Sequence, residues 1–388
     1  MNQKTRDSFP DILRGFALLG IAIVNIQYFS ISTFSGAESL DLTKPENGSV
    51  AFIVWALFQA KFYLLFAFLF GYSAHYVIKS EKSNRRRFVG RSIGLLLLGA
   101  IHFSFFFHGD ILFLYGALGL LLLAFYFRKE KTLKVWIWII YILTTLMFVA
   151  ISAFALLGEF FLASKGKTLP ADEYVDVLDV ALRNGNFFEA AAARVELWLI
   201  FAPQGLLLQG PLVLAAFMLG VLVARKGGLA ENLSPKLMRN YAIWGLTLGL
   251  GFQLAGAYLL LASSSSEDFS LSLYLGGLTL NFMTAPLMSA GIVGALWLVS
   301  QKFKFTTLSA AGRHSLTIYL GQSLVFSTLF SAWGFGLFEQ ISLLGVVLIA
   351  IATWLALSVL AELNLKYRSR GPMEAVLSDF SKLFERKA

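Results

Sequence analysis

The chain has 388 residues, of which 57% are hydrophobic, 15% aromatic and only 14% charged, with a mean hydropathy of +0.70. Soluble domains carry about 25% charged residues, whereas apolar runs here repeatedly approach the roughly 20 residues that a bilayer-crossing helix needs. These figures exclude a soluble globule, a disordered chain and, despite the net charge of +9, a nucleic-acid-binding domain; they leave an all-α polytopic membrane protein whose first partner is the lipid bilayer. The absence of cysteine also excludes disulfides, thiolate nucleophiles, Cys-ligated zinc and iron–sulfur clusters.

Hydropathy punctuated by Gly, Pro and charge predicts a bundle of about ten transmembrane helices, at 10–33, 50–78, 88–108, 110–128, 133–157, 196–225, 240–262, 271–299, 314–332 and 340–365. The first contains Arg14 and lacks a small-residue cleavage site, so it reads as a retained span rather than a signal peptide. The third and fourth are separated only by His108-Gly109-Asp110, which predicts a tight helical hairpin. No repeat or low-complexity linker divides the chain, so 1–388 reads as a single transmembrane domain with an outer loop at 158–195 and a tail at 366–388. In the outer loop, Asp172 to Arg183 place Tyr174, Leu178, Ala181 and Leu182 at helical spacing before the stop signal Asn184-Gly185, which predicts an amphipathic helix lying on the outer surface.

Orientation follows from Lys and Arg. Of the 32, the loops on the side of the N-terminus hold 25 and the opposite loops hold five, with Arg14 and Lys61 inside spans. By the positive-inside rule both termini face the cytoplasm, in a bacterial inner membrane. The cluster Arg85, Arg86 and Arg87 has the composition of a phosphate-binding site, but topology and anionic lipid account for it equally well.

Polar groups inside spans cost about 2.5–3.5 kcal/mol on insertion scales, so each requires a reason. In the first span Asp11, Arg14 and Asn25 share a face, with Asp11 and Arg14 spaced to pair and Asn25 about 21 Å beyond Asp11 at 1.5 Å per residue. The second span carries Lys61, Tyr72 and His75 on one stripe. In the third, His102 lies about 9 Å from the His108 corner at the same rise per residue, so Asn25, Lys61 and His102 fall at similar depth and predict a polar pocket opening outward. A histidine there is suited to taking and returning a proton, with Asp110 or Glu196 to orient it. Pro203, Gln204, Gln209 and Pro211 interrupt the sixth span and Asn281 and Pro286 the eighth, a pattern of cavity-lining helices in transporters and equally of plain kinks. Ser315, Tyr319 and Gln322 share a face of the ninth, which opens with Arg313, and Glu362 has Lys366 at i+4. Gly245, Gly249 and Gly256 form a small-residue face that would permit a homo-oligomer. Walker, HExxH, GxSxG and dinucleotide motifs are absent, and no metal is expected.

The segment RDSFPDILRGFALLGIAIVN, Arg6 to Asn25, resembles the opening helix of the bacterial DUF418 or YeiB-like family. FYLLFAFLFGYSAH at 62–75, GAIHFSFFFHGDILFLYG at 99–116, GRHSLTIYLGQSLV at 312–325 and RGPMEAV at 370–376 resemble further family segments in the same order. The match departs after Glu374, where the family continues with Trp and Arg and this chain has Ala375-Val376-Leu377-Ser378. The first helix, with Leu13-Arg14-Gly15, is also similar to that of a wider superfamily of membrane acyltransferases, the heparan-glucosaminide acetyltransferase-like and acyltransferase-3-like proteins. That resemblance implies transfer of an acyl group from a cytoplasmic acyl-CoA to an acceptor on the far face, assisted by an intramembrane histidine: His102 first, His108 second, with Asp110 as orienter. Arg14, Arg85, Arg86, Arg87 or Arg313 would then hold donor phosphates, and Asn25, Lys61, Tyr72 and Gln204 would contact substrate.

Two other classes compete with this expectation. A proton-coupled transporter would use the broken spans as its cargo site and His102 with Asp110 as coupling groups. A scaffold would have no need of Lys61 or His102 within the bilayer. The acyltransferase reading requires a tunnel from the cytoplasmic face that admits a pantetheine arm as far as His102, and the transporter reading requires a midplane cavity between two halves.

Overall fold

The protein is described here from a computed structural model, covering residues 8–79, 81, 84–167, 177–229, 233–265 and 269–385. Among these residues the chain is helical and contains no strand. The helices are α1 Phe9–Asn25, α2 Gln27–Ser30, α3 Pro45–Leu57, α4 Lys61–Ile78, α5 Arg85–Phe105, α6 Leu112–Tyr126, α7 Glu130–Ser164, α8 Val177–Asn184, α9 Phe187–Leu208, α10 Gly210–Arg225, α11 Pro235–Ser265, α12 Leu271–Ser300, α13 Thr306–Arg313, α14 Ser315–Phe330, α15 Leu343–Asn364 and α16 Pro372–Lys382. Eight helical segments are long and apolar enough to cross a membrane, and α6, α10 and α14 are shorter apolar helices. Among the described residues these segments agree with a polytopic helical membrane protein, with eight candidate spans where hydropathy predicts about ten. We term the end where α1 begins, beside Arg85–Arg87, the basic end, and the end holding the α5–α6 corner and α8 the far end.

Prolines mark where helices start. Pro10, Pro45, Pro211 and Pro372 lie in first turns, where a missing N–H costs no hydrogen bond, while Pro203 and Pro286 lie inside α9 and α12. The predicted second span is two helices: Ala60 takes a left-handed conformation (φ 67°) and turns the chain between α3 and α4. The predicted sixth span begins nine residues earlier than hydropathy places it and breaks at Gln209, not at Pro203.

α1 is the central element, buried over most of its length against α4, α13, α14 and α15. Its crossing with α13 requires glycine on both sides, since a Cβ on Gly15 would lie 2.1 Å from the Leu308 carbonyl oxygen and one on Gly312 would lie 1.8 Å from that of Asp11. The Leu13-Arg14-Gly15 signature therefore has a packing cause. The glycine face on α11 also serves packing within the chain: Gly245 meets Gly291, Gly249 meets Met288 and Gly256 meets Asn281, all on α12. The surface expected for a homo-oligomer is thus occupied by the α11–α12 hairpin. α7, at 35 residues, extends about 52 Å and buries only Leu133 and Thr144, so its flank is left to lipid.

The predicted amphipathic helix at 172–183 is α8, from Val177 to Asn184; Asp172 and Tyr174 lie outside the described residues. Its apolar face, Leu178 and Leu182, packs on Ala190, Ala193 and Leu197 of α9 and on Phe338. Arg183 forks onto Glu339 with two 2.7 Å hydrogen bonds, and the Ala332 N–H donates to the Leu182 carbonyl. The helix therefore braces the far end of the bundle.

At the basic end the tail is docked. Glu374 of α16 accepts the backbone N–H groups of Leu316 (2.6 Å) and Thr317 (3.2 Å) and the Thr317 hydroxyl (2.6 Å), capping the N-terminus of α14. Leu377, Phe380 and Phe384 pack over Gly90 and Gly94 of α5.

Candidate functional site

A cavity of about 650 Å³ lies toward the far end between α1, α4, α6, α9 and the α5–α6 corner, a volume within the usual range of about 300–1,000 Å³ for small-molecule sites. Phe34 and Gly109, both exposed, stand at its rim, and Phe282 of α12 closes its inner side. Its polar wall comprises Asn25, Gln59, Tyr63, His108, Asp110 and Gln209. The Gln59 Oε1 and the Tyr63 hydroxyl are buried there without hydrogen-bond partners among the described residues.

The α5–α6 corner supplies the chemistry. Gly99 admits the α6 backbone at Phe113 and Gly116 admits that of α5 at Ser92, which folds the hairpin tightly. In the corner, Asp110 lies 2.7 Å (Oδ1) from His102 Nδ1 and accepts the Phe113 N–H at 2.7 Å through Oδ2. A carboxylate accepts, so Nδ1 is the nitrogen that donates to Asp110. The other ring nitrogen, Nε2, is buried with no hydrogen-bond partner among the described residues. His102 is 1% exposed and packed against Tyr319, with ring centroids 5.1 Å apart, and against Phe106 and Phe107. Asp110 stands on the cavity wall and His102 behind it. The pair is the one expected, with both side chains buried behind the wall to which Asp110 contributes its backbone. Glu196, the alternative orienter, is exposed.

His108 also lines the cavity and bonds the Thr33 carbonyl at 2.8 Å. Thr33 in turn donates its N–H and hydroxyl to Asp179 of α8, at 2.8 and 2.7 Å, so the brace helix fixes the segment that forms the rim. The carbonyls at the end of α5 are met by Arg194, donating to Phe105, and Ser327, donating to Phe106. Sequence reasoning did not single out Thr33, Gln59, Tyr63, Asp179 or Arg194 as site residues. Each acts through a turn or a partner remote in sequence, and none lies on a stripe that spacing would reveal.

Three expected substrate contacts lie elsewhere. Lys61 is fully buried and donates from its Nζ to the Trp55 carbonyl at 3.0 Å, closing the α3–α4 break instead of lining the cavity. The Tyr72 hydroxyl joins that of Tyr76 and accepts the Leu229 N–H toward the basic end. Gln204 is exposed on α9, one residue from the cavity-lining Pro203 and Gly205. The predicted layer of Asn25, Lys61 and His102 is therefore not the polar wall; Asn25 with Asp110 is.

Nor do the arginines converge. Arg85 stacks on Phe127 (4.1 Å), Arg86 is exposed and Arg87 pairs with Glu385 at 3.1 Å, because successive residues diverge by about 100° on a helix. Arg14 pairs with Asp11 (2.5 Å) and donates to Ser73 (2.6 Å), and Arg313 donates to the Ser369 carbonyl (2.9 Å). Glu362 accepts the Thr307 hydroxyl in place of the expected Lys366 pairing. The polar residues of the eighth span, Asn281 with Gln253 of α11, are wholly buried in the α11–α12 seam and line no part of the cavity. Among the described residues the route from the basic end to His102 is packed rather than open. Leu13, Leu18, Leu69, Tyr115, Leu122 and Tyr126, each at most 1% exposed, pack the bundle between His102 and that end.

With this geometry in hand, the comparisons bear on the family. Residues 223–382 match the family model described as "Protein of unknown function (DUF418)". The chain is 29% identical to the uncharacterized protein YxaH of Bacillus subtilis (strain 168), covering 94% of this chain and 91% of that protein. It is 26% identical to the uncharacterized protein YeiB of Escherichia coli (strain K12), over 94% of this chain and 93% of the other. These matches support a DUF418/YeiB-like family for the chain. No solved structure matches it.

Proposed function

We propose that the protein is a membrane-embedded acyltransferase whose acceptor binds in the far-end cavity and gives up its proton to the Asp110–His102 pair. The observation that supports this reading is that pair itself: a carboxylate buried just behind the cavity wall, 2.7 Å from a buried imidazole, which a shift of the α5–α6 corner would bring to the acceptor. In the proposed step an acceptor O–H or N–H transfers its proton to Asp110 while the O or N attacks the thioester carbonyl carbon of an acyl-CoA-type donor. The C–S bond then breaks, the thiolate leaves, and the proton on Asp110 passes to it or to solvent. The Asn25 side-chain amide, on the same wall, is the candidate donor to the developing oxyanion.

One observation favours a second reading. A cavity at one end of the bundle above a packed opposite end is the form expected of one state of an alternating-access, proton-coupled transporter. Under the acyltransferase reading the same packing must open for the donor's arm to reach Asp110. The deciding experiment measures acyl-CoA binding and turnover by the purified protein in nanodiscs, wild type against Asp110→Asn and His102→Ala. Slow thioester cleavage lost in both variants is the expected result. Folded protein that binds no acyl-CoA would remove the acyltransferase reading and turn the work to flux in liposomes.

A further inference from the structure

We infer that Arg85, Arg128 and Arg225 form a binding site at the basic end for the phosphate head group of an anionic membrane lipid, where the ends of α5, α6 and α10 meet. This site stands at the opposite end of the bundle from the cavity and does not depend on the proposed function.

Three observations carry it. First, two guanidinium groups rest on adjoining rings. Arg85, the first residue of α5, lies 4.1 Å from the centroid of Phe127, and Arg225, the last residue of α10, lies 5.1 Å from that of Tyr126. The two rings meet edge to face with centroids 4.8 Å apart. Arg225 also donates to the Arg128 carbonyl at 2.9 Å, which ties the third arginine to the same helix end. A guanidinium lying on a ring keeps its edge N–H groups free, and that planar fork matches two phosphate oxygens. Arg85 therefore turns away from Arg86 and Arg87 and towards Arg225.

Second, the charge is left uncompensated. Arg14, Arg87 and Arg183 each pair with a carboxylate, whereas among the described residues no ion pair reaches Arg85, Arg128 or Arg225. The carbonyls of Ala124 and Arg128, which Arg128 and Arg225 meet at 3.4 and 2.9 Å, carry no net charge. The nearby acids, Glu81 and Glu130, are exposed, and Glu81 accepts the Asn84 amide at 3.3 Å; Lys129 and Lys226, also exposed, add to the positive sign. The missing partner is an anion from outside the chain.

Third, the site stands at head-group level beside lipid. Trp136 of α7 packs edge-on against Phe125, two residues from Phe127, and both Trp136 and Tyr76 of α4 are exposed. Exposed Trp and Tyr gather at the membrane–water interface. Leu121, one turn before Phe125 on α6, is exposed as well, so an apolar flank leads from the arginines into the bilayer. An anionic phospholipid meets both features, its phosphate on the arginines and its chains on that flank. A soluble phosphate ester meets only the first.

The test titrates the full chain, purified in detergent, with dioleoyl phosphatidylglycerol or with dioleoyl phosphatidylcholine, whose choline neutralises its own phosphate, and reads bound lipid by native mass spectrometry. Phosphatidylglycerol should bind about tenfold more tightly or better. Arg85→Ala with Arg225→Ala should weaken that binding about tenfold, and Arg85→Lys with Arg225→Lys, which keeps the charge and loses the fork, about threefold. Lys302→Ala with Lys304→Ala, which removes two exposed charges elsewhere at the basic end, should leave it unchanged. Glycerophosphoglycerol, the head group without chains, should not compete even at about a thousandfold excess. Equal affinity for the two lipids, an equal loss in the Lys302 and Lys304 variant, or full binding in the lysine variant would each overturn the inference. Displacement by glycerophosphoglycerol would assign the site to a soluble phosphate ester and overturn the lipid. Unfolding midpoints accompany each titration, and if the alanine variant does not fold, the lysine variant and the competition decide the matter.

Discussion

Asp110 carries two constraints at once, because its carboxylate, buried just behind the cavity wall, holds both the Phe113 N–H and the His102 ring. A group so placed is oriented before any ligand arrives, which is how a positioned base attains rate factors of about 10²–10⁴. Asp110→Asn should therefore lower acyl transfer at least about 100-fold with little change in donor Kd. His102→Gln, which keeps a donor toward Asp110, should retain more activity than His102→Ala, and a pH–rate profile should shift with His102 and stay put with the surface control Lys134→Ala. Equal losses in the two histidine variants with unshifted profiles would reduce His102 to a packing residue. Glu38, in the turn between α2 and α3, offers a separate pH test. Burial pushes its carboxyl from the usual 4.5 up to about 7, the Tyr274 hydroxyl bond pulling the other way. Its proton is held more firmly in the folded state, so its contribution to stability is full below pH 4.5 and is lost as pH rises toward 7. Thermal unfolding in nanodiscs should show that decline, and Glu38→Gln should flatten it.

At the scale of helices, hydropathy made the long spans legible, because a continuous apolar run of bilayer length admits few other readings. The breaks were legible only in part: Gln209 stood among several candidate interruptions of the sixth span, and the break before Lys61 was not foreseen. Ala60 in a left-handed conformation is held by Lys61 closing onto Trp55, and Gln209 ends α9 although Pro203, the residue with the stronger breaking signal, sits inside the helix. Both depend on what packs alongside, which a single chain's periodicity does not encode. The Asp110–His102 pair was legible because both residues lie on one tight hairpin, where sequence separation sets spatial separation. Lys61 was misplaced because depth along a helix says nothing of direction around it once the helix is broken. The glycines yield a contrasting prediction. Gly15→Ala must push α1 off α13 and should sharply lower the yield of folded protein, whereas Gly158→Ala, with nothing within 4 Å, should be neutral or stabilise by up to about 1 kcal/mol through helix propensity. Fluorescence-detected size exclusion of the two variants, with unfolding midpoints, measures the difference. Equal yields would mean that the α1–α13 crossing has slack to absorb a methyl group.

For the whole molecule, the functional consequence rests on which compartment the cavity faces. In the sequence the loops on the side of the N-terminus hold 25 of the 32 Lys and Arg and the opposite loops five, the asymmetry from which the positive-inside rule would place the former in the cytoplasm. The far end also carries the features that position the site: the α8 brace, the Thr33 rim and the α5–α6 corner. If the basic end is cytoplasmic, an acceptor in the cavity would come from the outer side and an acyl-CoA-type donor from the other side of packed Leu13, Leu69, Tyr115 and Leu122, so the proposed transfer requires the bundle to open between them. Alkaline phosphatase fused after residue 166 should be active and fused after residue 304 inactive, and a fluorescent protein on the C-terminus should fluoresce. The opposite pattern would turn the cavity toward the cytoplasm, where donor and acceptor could meet at Asp110 without that opening, and the packed end would then be a permanent floor.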